Sequence, residues 1–89
     1  MQFELDPAKS TANKKKHGID FVEAQALWYD ERRLDIDASH LQEARRITVG
    51  RIGNTFWTGV YTMRAGVVRI ISVRHARLAE RLGYAEDHR

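Results

Sequence analysis

Residues 67–74, VVRIISVR, restrict the possible folds more than any other segment of the chain. Five of these eight residues are valine or isoleucine, so both faces of an extended segment here are apolar. A strand that is apolar on both faces is expected to be packed against other elements on both faces of the sheet. Such a strand usually lies in the interior of a sheet and not at its edge. The segment runs without glycine or proline into HARLAERLGY, which has helical spacing and contains arginines. Cations therefore collect where the most buried strand meets the last helix.

Two helices are predicted near the N-terminus, after a short strand at residues 2–5. Asp6 is placed to cap the first helix, Pro7 to occupy its first position and Gly18 to end it. Asp20 and Glu23 form a capping-box pattern that opens a second helix through FVEAQALWY. Its core-facing residues are expected to be those that recur at helical spacing: Phe21, Ala24, Leu27 and Trp28.

The pattern then changes to the alternation typical of strands. Turns are predicted at Gly53-Asn54 and Ala65-Gly66, between strands at residues 33–38, 45–52, 55–63 and 67–74. The first of these strands, residues 33–38, is charged, which is typical of a strand at the edge of a sheet. The predicted order β-α-α-β-β-β-β-α is that of a single α+β domain over residues 1–89. We expect an antiparallel sheet with the N-terminal helices on one face and the C-terminal helix closing one end.

Composition narrows the classes of function. The chain has 89 residues, no cysteine, a net charge of +3 and a pI of about 9.6, so disulfides and thiolate metal sites are excluded and an acidic partner is favoured. The histidines lack the spacing of a helical metal site, and neither a metal nor a cofactor is expected. No apolar run is long enough to span a membrane and no signal-peptide layout is present, so we expect a cytoplasmic protein.

The junction after residue 74 holds the first candidate site. Alternation along the strand predicts that Ser72 and Arg74 share a face with Ile70, and that Arg69 lies on the other face. Arg77 falls in the first turn of the predicted helix, where a cation opposes the helix dipole and is poorly placed for stability. Such a residue is a candidate for function, although Glu80 could instead pair with Arg77 or Arg81 on a solvated face.

Two stripes are predicted on the last helix. Ala76, Ala79 and Leu82 have the spacing of a core-facing stripe, whereas Arg77, Glu80, Arg81 and Tyr84 form a polar one. A second basic segment, NKKKHG, places Lys14, Lys15, Lys16 and His17 at the end of the first helix. Lysines there also favour the helix dipole, so a purely structural role is the alternative. Imidazoles in general titrate near neutrality, so His17 is a candidate for proton transfer.

No nucleophile elbow, phosphate loop or metal-ligand spacing is present. What remains is a basic surface with aromatic residues, Trp57, Tyr61 and Tyr84, and a few proton-transfer groups, which suits RNA. The 2′-hydroxyl of RNA can attack its own phosphate without a metal when a base, an acid and stabilising cations are provided. A non-catalytic module that binds RNA or an acidic partner fits the same charge. Direct binding of DNA by this chain is not favoured, because the sequence has no helix-turn-helix pattern.

Three segments resemble the BrnT family of type II toxins. FELDPAKSTANKKKHGIDFVEA is similar to the family opening, DASHLQEARRITVGRI to its middle and VYTMRAGVVRIISVRHARLAERLGY to its end. The middle match includes His40 and Glu43. The resemblance spans residues 3–84 and departs from the family pattern at Leu5, where tryptophan is common, and at Val73, where a small residue precedes Arg74.

The resemblance implies a RelE-like ribonuclease fold. It also implies an endoribonuclease of the mRNA interferase type that inhibits growth until an antitoxin neutralises it. The implied partner is a ribbon-helix-helix antitoxin in a heterotetramer of two toxins and two antitoxins, which contacts promoter DNA only through the antitoxin.

Site residues are assigned on the matching positions. Arg74 is the implied phosphate clamp, and Glu80 with His17 or Lys16 the implied proton-transfer groups. Arg77 joins Arg74 on the physical argument alone, since the family pattern varies there. The residues expected to bind RNA are Lys14, Lys15, Arg69, Arg81 and Tyr84.

Overall fold

The computed structural model describes residues 1–38 and 44–87, with side chains described as far as Glu86. Its elements are β1 (Gln2–Glu4), α1 (Pro7–His17), α2 (Phe21–Ala24), a 3₁₀ helix (Gln25–Tyr29), β2 (Leu34–Asp37), β3 (Arg46–Ile52), β4 (Thr55–Arg64), β5 (Val67–His75) and α3 (Leu78–Asp87). The predicted α+β class is confirmed: the described residues form a five-stranded sheet and three α-helices. His40 and Glu43 of the middle motif lie outside the described residues. No helix within the described part of the chain is long and apolar enough to cross a membrane.

The limits of α1 follow from local chemistry, as predicted. The Asp6 carboxylate accepts the backbone N–H of Ala8 at 2.9 Å and that of Lys9 at 3.3 Å, and Pro7 opens the helix. Gly18 ends it at φ 87°, a left-handed conformation that costs glycine little, and donates its N–H to the Lys14 carbonyl.

The second helix is shorter than predicted. The capping box of Asp20 and Glu23 is present, but α2 has four residues and the chain continues as the 3₁₀ helix. Tertiary packing outweighs the helical pattern here, because the tighter turn lays Trp28 directly on the sheet: a Cβ added at Gly59 would lie 2.8 Å from its ring. The predicted core residues are confirmed as buried: Phe21, Ala24, Leu27 and Trp28.

The sheet is mixed, and the expectation of an antiparallel sheet is wrong. Its order is β1-β5-β4-β3-β2, with β1 parallel to β5 and every other pair antiparallel. Tight hairpins impose antiparallel pairing on β3, β4 and β5. No hairpin joins β1 to β5, so that constraint does not apply to them. The interior position of β5 and the edge position of β2 are confirmed.

A β-bulge in β5 changes which side chains share a face. Val60 pairs with Ser72 and Tyr61 with Ile70, which leaves Ile71 as an extra residue. The alternation predicted from the sequence therefore fails at this point. Ile70 points with Val68 and Val73 into the core, whereas Arg69, Ser72 and Arg74 lie together on the opposite face.

Helices cover both faces of the sheet. The α1 face is covered by α1, α2 and the 3₁₀ helix, and its core includes Trp28, Tyr61 and Ile70. The other face, here called the α3 face, carries Val49, Thr58 and Arg74, and α3 packs over β2 and β3. The C-terminal helix therefore covers part of a face instead of closing one end.

The orientation of α3 also differs from the prediction. Ala79 is exposed and Leu82 is 56% exposed, whereas Tyr84 is 9% exposed and lies in the core of the α3 face. Ala76 packs against this core as expected. The helix contacts β2 and β3 through a large aromatic ring, and Gly83 allows close approach to Leu34. The Tyr84 ring, a large apolar surface, fixes α3 in the core of the α3 face.

Asn13 fastens α1 to the exposed edge of β5. Because β1 pairs only as far as Arg69, the backbone of Val73 has no strand partner on that side. The Asn13 carboxamide replaces it: Nδ2 donates to the Val73 carbonyl at 2.9 Å and Oδ1 accepts the Val73 N–H at 3.2 Å. Nδ2 also donates to the Ile19 carbonyl at 2.7 Å, so one buried side chain joins three segments.

We predict that Asn13→Ala lowers the free energy of unfolding by about 2–4 kcal/mol, because it leaves buried backbone groups of Val73 and Ile19 without partners. Urea denaturation measures the change. Asn54→Ala, in the exposed hairpin turn, is the matched control and is expected to change it by less than about 0.5 kcal/mol. Equal effects of the two substitutions would contradict this role of Asn13.

Candidate functional site

Arg74 and Glu80 form a bidentate ion pair on the α3 face. The Arg74 guanidinium donates Nη1 to Glu80 Oε1 at 2.8 Å and Nη2 to Oε2 at 2.9 Å. This is the parallel bidentate geometry that suits a planar guanidinium. The side chains are 22% and 15% exposed, so the pair is largely shielded from solvent and its position is fixed.

Glu80 is the centre of a larger network. Besides Arg74, its Oε1 accepts the Thr58 hydroxyl at 2.9 Å and the backbone N–H of Arg77 at 2.8 Å. One carboxylate therefore joins β4, β5 and the start of α3. Thr58 lies opposite Arg74 in the β4–β5 register, so strand pairing brings two of its donors together.

These contacts determine the charge of Glu80. Burial alone would raise the pKa of its carboxyl, but hydrogen bonds from Arg74, the Arg77 backbone and Thr58, with the charge of Arg74, lower that pKa to about 2. Both oxygens are occupied by donors. A carboxylate in this state is a weak base, so the geometry does not favour Glu80 as a proton-transfer group and indicates that it orients Arg74.

Arg77 immediately precedes α3 and is exposed. It was expected inside the first turn, but the helix begins at Leu78, where Glu80 accepts the Arg77 N–H as a helix-capping acceptor. The guanidinium of Arg77 makes no ion pair with any described residue. Its charge is thus available next to the fixed Arg74, although it lies at the positive end of the helix dipole.

A cavity of about 320 Å³ lies next to this network, and His75 and Arg81 line it together with Phe56. The His75 ring stacks on Trp57 with centroids 4.2 Å apart. The Arg74 Nη1 donates to the His75 carbonyl at 3.3 Å, which ties the two residues at the end of β5. The Arg81 guanidinium carbon lies 5.2 Å from the centroid of the Phe56 ring.

The aromatic residues expected on the basic surface are buried. Tyr84 packs edge-on against Phe56 and donates its hydroxyl to Asp30 at 2.9 Å. Burial and then the Asp30 carboxylate raise the pKa of this phenol. Trp57 and Tyr61 are also buried, the latter donating to Asp35 at 3.0 Å. The prediction of Tyr84 on an exposed polar stripe is therefore wrong, and its ring is already engaged in the core.

The NKKKHG segment lies on α1, away from the Glu80 network. Lys14 is paired with Glu23 at 2.7 Å, and the same Glu23 oxygen accepts the Asp20 N–H of the capping box. Lys15 and Lys16 are exposed and His17 is half-buried.

The direction of α1 brings its C-terminal end near Arg74. Because Lys9 lines a cavity beside Ile71 and Asn13 contacts Val73, α1 runs along β5 towards the end that holds Arg74. Lys16 and His17 are thus near that end, but among the described contacts neither touches Arg74 or Glu80.

Arg69 is brought to the α3 face by the bulge at Ile71. It shares that face with Arg74 and pairs with Glu4 at 3.0 Å. The alternation of the sequence had predicted that Arg69 and Arg74 lie on opposite faces of the sheet.

Thr58 and His75 were not among the residues expected to form the site. The preference of threonine for strands explains Thr58 without a function, and only the strand register reveals its contact with Glu80. His75 directly follows Arg74 in the chain, and this adjacency could have identified it as a candidate from the sequence.

The comparison with known protein families shows to which family this chain belongs. The model of the family described as "Ribonuclease toxin, BrnT, of type II toxin-antitoxin system" matches residues 5–80. The chain belongs to the BrnT family. Its members are ribonuclease toxins of type II toxin–antitoxin systems, so this BrnT protein has an antitoxin as its partner. A search of curated proteins finds no match. The match ends at Glu80, so the family region of this BrnT chain contains the whole Glu80 network.

The low pKa of Glu80 predicts a specific dependence of stability on pH. Its folded pKa of about 2 lies below the ordinary value of 4.5, so its contribution is complete above about pH 4.5 and is lost as the pH falls towards 2. Glu80→Gln removes the charge and is expected to cost on the order of 2 kcal/mol at pH 7.

Urea unfolding of both proteins from pH 2 to pH 7 measures this difference. The gap between wild type and Glu80→Gln should shrink as the pH falls from 4.5 to 2. A gap of constant size over this range would contradict the ionised network.

Proposed function

We propose that this BrnT protein is a metal-independent endoribonuclease of the mRNA interferase type, with a RelE-like fold, that acts in the cytoplasm. The observation that carries the proposal is the Arg74–Glu80 pair inside a family of ribonuclease toxins. A guanidinium held in place by a half-buried carboxylate needs little reorganisation to meet a phosphate. The exposed Arg77 beside it supplies a second cation for the same group.

The reaction begins with attack of a ribose 2′-hydroxyl on the adjacent phosphorus. A base removes the hydroxyl proton, the P–O5′ bond breaks after a phosphorane-like state, and an acid protonates the leaving 5′-oxygen. The products are a 2′,3′-cyclic phosphate and a 5′-hydroxyl. Arg74 and Arg77 stabilise the negative charge that grows on the non-bridging oxygens.

His75 is the proposed proton-transfer group, and its ring, stacked on Trp57 of the α1-face core, would reach the phosphate at Arg74 around the end of β5. It follows Arg74 in the chain, is exposed, and lines a cavity together with Arg81. An imidazole exchanges protons near neutral pH, which Glu80 with a pKa of about 2 does not. His17 and Lys16 are the alternatives from the sequence; they lie at the same end of β5 but on α1. Arg81 is placed to contact the substrate beside His75.

We predict that Arg74→Ala lowers the rate of RNA cleavage by about 10²–10³, the usual cost of removing one preorganised donor to a transition state. Arg32→Ala, in the turn after the 3₁₀ helix, is the matched control and should retain the wild-type rate. Cleavage of a labelled RNA is measured in the presence of EDTA. Loss of wild-type cleavage in EDTA would contradict metal independence, and equal rates for the two variants would contradict the role of Arg74.

The same cleavage assay shows whether His75 or His17 transfers the proton. If His75 transfers a proton, His75→Ala lowers the maximal rate and removes one limb of its pH profile, while His17→Ala retains both. The opposite result would assign the role to His17.

A non-catalytic module that binds RNA through the same face is the second candidate. It is consistent with the net charge of +3 but requires no fixed Arg74. Under this alternative wild-type protein leaves RNA intact, and Arg74→Ala only weakens binding and its salt dependence.

The partner is proposed to be a ribbon-helix-helix antitoxin. We further propose that two toxins and two antitoxins assemble and reach promoter DNA through the antitoxin only. The type II assignment of the family supports an antitoxin, and its form and number follow from the resemblance at the sequence level. Light scattering of the copurified complex tests the stoichiometry; a mass that does not equal four chains would contradict it.

A further inference from the structure

The α3 face holds a second group of cations at the end of β5 opposite Arg74. A cavity of about 360 Å³ there is lined by Lys9, Arg45, Arg64 and Arg69, with Thr62 and Ile71 among its other residues. None of the described residues that line it is acidic. We call it the basic cavity.

Strand register explains how these cations meet. Arg69 pairs with Thr62 across β5 and β4, and Arg45 immediately precedes the residue that pairs with Tyr61. Arg64 ends β4, and Lys9 reaches the same place from the first half of α1. The bulge at Ile71 is essential, because regular alternation would turn Arg69 to the α1 face.

Among the described residues, the charge of three cations of this cavity, Lys9, Arg64 and Arg69, is only partly compensated. Arg69 pairs with Glu4, but that pair is half exposed and is readily rearranged. Lys9 and Arg64 have no ion pair with the described residues. These three cations share one described ion-pair partner, Glu4, so their described surroundings carry a net positive charge. Such a charge favours an anionic ligand.

The position of the cavity relative to Arg74 indicates which anion. Arg69 lies opposite Thr62 and Arg74 opposite Thr58, four positions apart along β4, which is about 13 Å at 3.3 Å per residue. At about 3.4 Å or more per nucleotide, this distance is covered by at most about four nucleotides of a single strand. Both cation groups lie on one sheet face, so a single strand can contact both.

We propose that the basic cavity is a second phosphate-binding subsite, which holds the RNA strand by a phosphodiester up to about four nucleotides from the bond that is cut. This inference rests on the proposed function for the identity of the ligand. The subsite supplies affinity and register, because phosphate contacts position a strand without reading its bases. Chemistry stays at Arg74.

The test is binding of fluorescent RNAs, 12 and 2 nucleotides long, whose 2′-hydroxyls are methylated so that they are not cleaved. The variants are Lys9→Ala/Arg64→Ala and the control Arg32→Ala. Fluorescence anisotropy gives Kd over a range of salt concentrations. We expect the double variant to bind the 12-nucleotide RNA at least about 10-fold more weakly. Its salt slope should be about 0.7 smaller for each phosphate that the protein no longer neutralises.

The 2-nucleotide RNA has a single phosphodiester and cannot occupy both cation groups at once, so its Kd should change by less than about 2-fold. An unchanged 12-nucleotide Kd, or the same weakening in Arg32→Ala, would overturn the proposal. Binding does not depend on catalysis, so absence of cleavage by wild-type protein would refute the enzyme while leaving this measurement valid. A melting temperature of the double variant equal to that of wild type verifies that it is folded.

Discussion

The Glu80 carboxylate is the interaction on which the rest of the site depends. It accepts donors from β4, from β5 and from the residue before α3, so it fixes the helix relative to the sheet. Burying a charge is costly unless donors surround it, and here four hydrogen bonds occupy both oxygens. The same contacts leave Arg74 in one orientation. A site that must meet a phosphate without reorganisation needs that rigidity.

Asn13 provides the corresponding constraint on the other side of β5. It completes the hydrogen bonding of Val73, the residue before Arg74, where no strand does so. Arg74 is therefore held through its backbone from the α1 side and through its guanidinium from the α3 side. Two buried polar contacts, distant in sequence, determine where one arginine points.

The predictable part of the fold is the part set by local chemistry. The caps of α1, the capping box of α2 and both hairpin turns depend on residues within a few positions of one another, and all are present. The bulge at Ile71 and the parallel pairing of β1 depend on contacts between distant segments. A bulge without glycine leaves no mark in the composition, so alternation assigned Arg69 and Ile70 to the wrong faces.

The candidate site divides in the same way. Placement at the strand–helix junction identified Arg74 and Arg77, but the partner of Glu80 is Arg74 and not one of the helix arginines. Tyr84 was assigned to the surface because helical spacing alone does not show which stripe a sheet will cover. Thr58 was missed because its contact with Glu80 spans 22 positions.

The central claim is that RNA lies on the α3 face against Arg74 and Arg77. NMR chemical-shift mapping with an RNA whose 2′-hydroxyls are methylated measures this directly, since it locates the bound strand without cleavage. The account predicts the largest shifts at Arg74, His75, Arg77 and Arg81. Shifts confined to residues 14–17 of α1, with the α3 face unchanged, would contradict it.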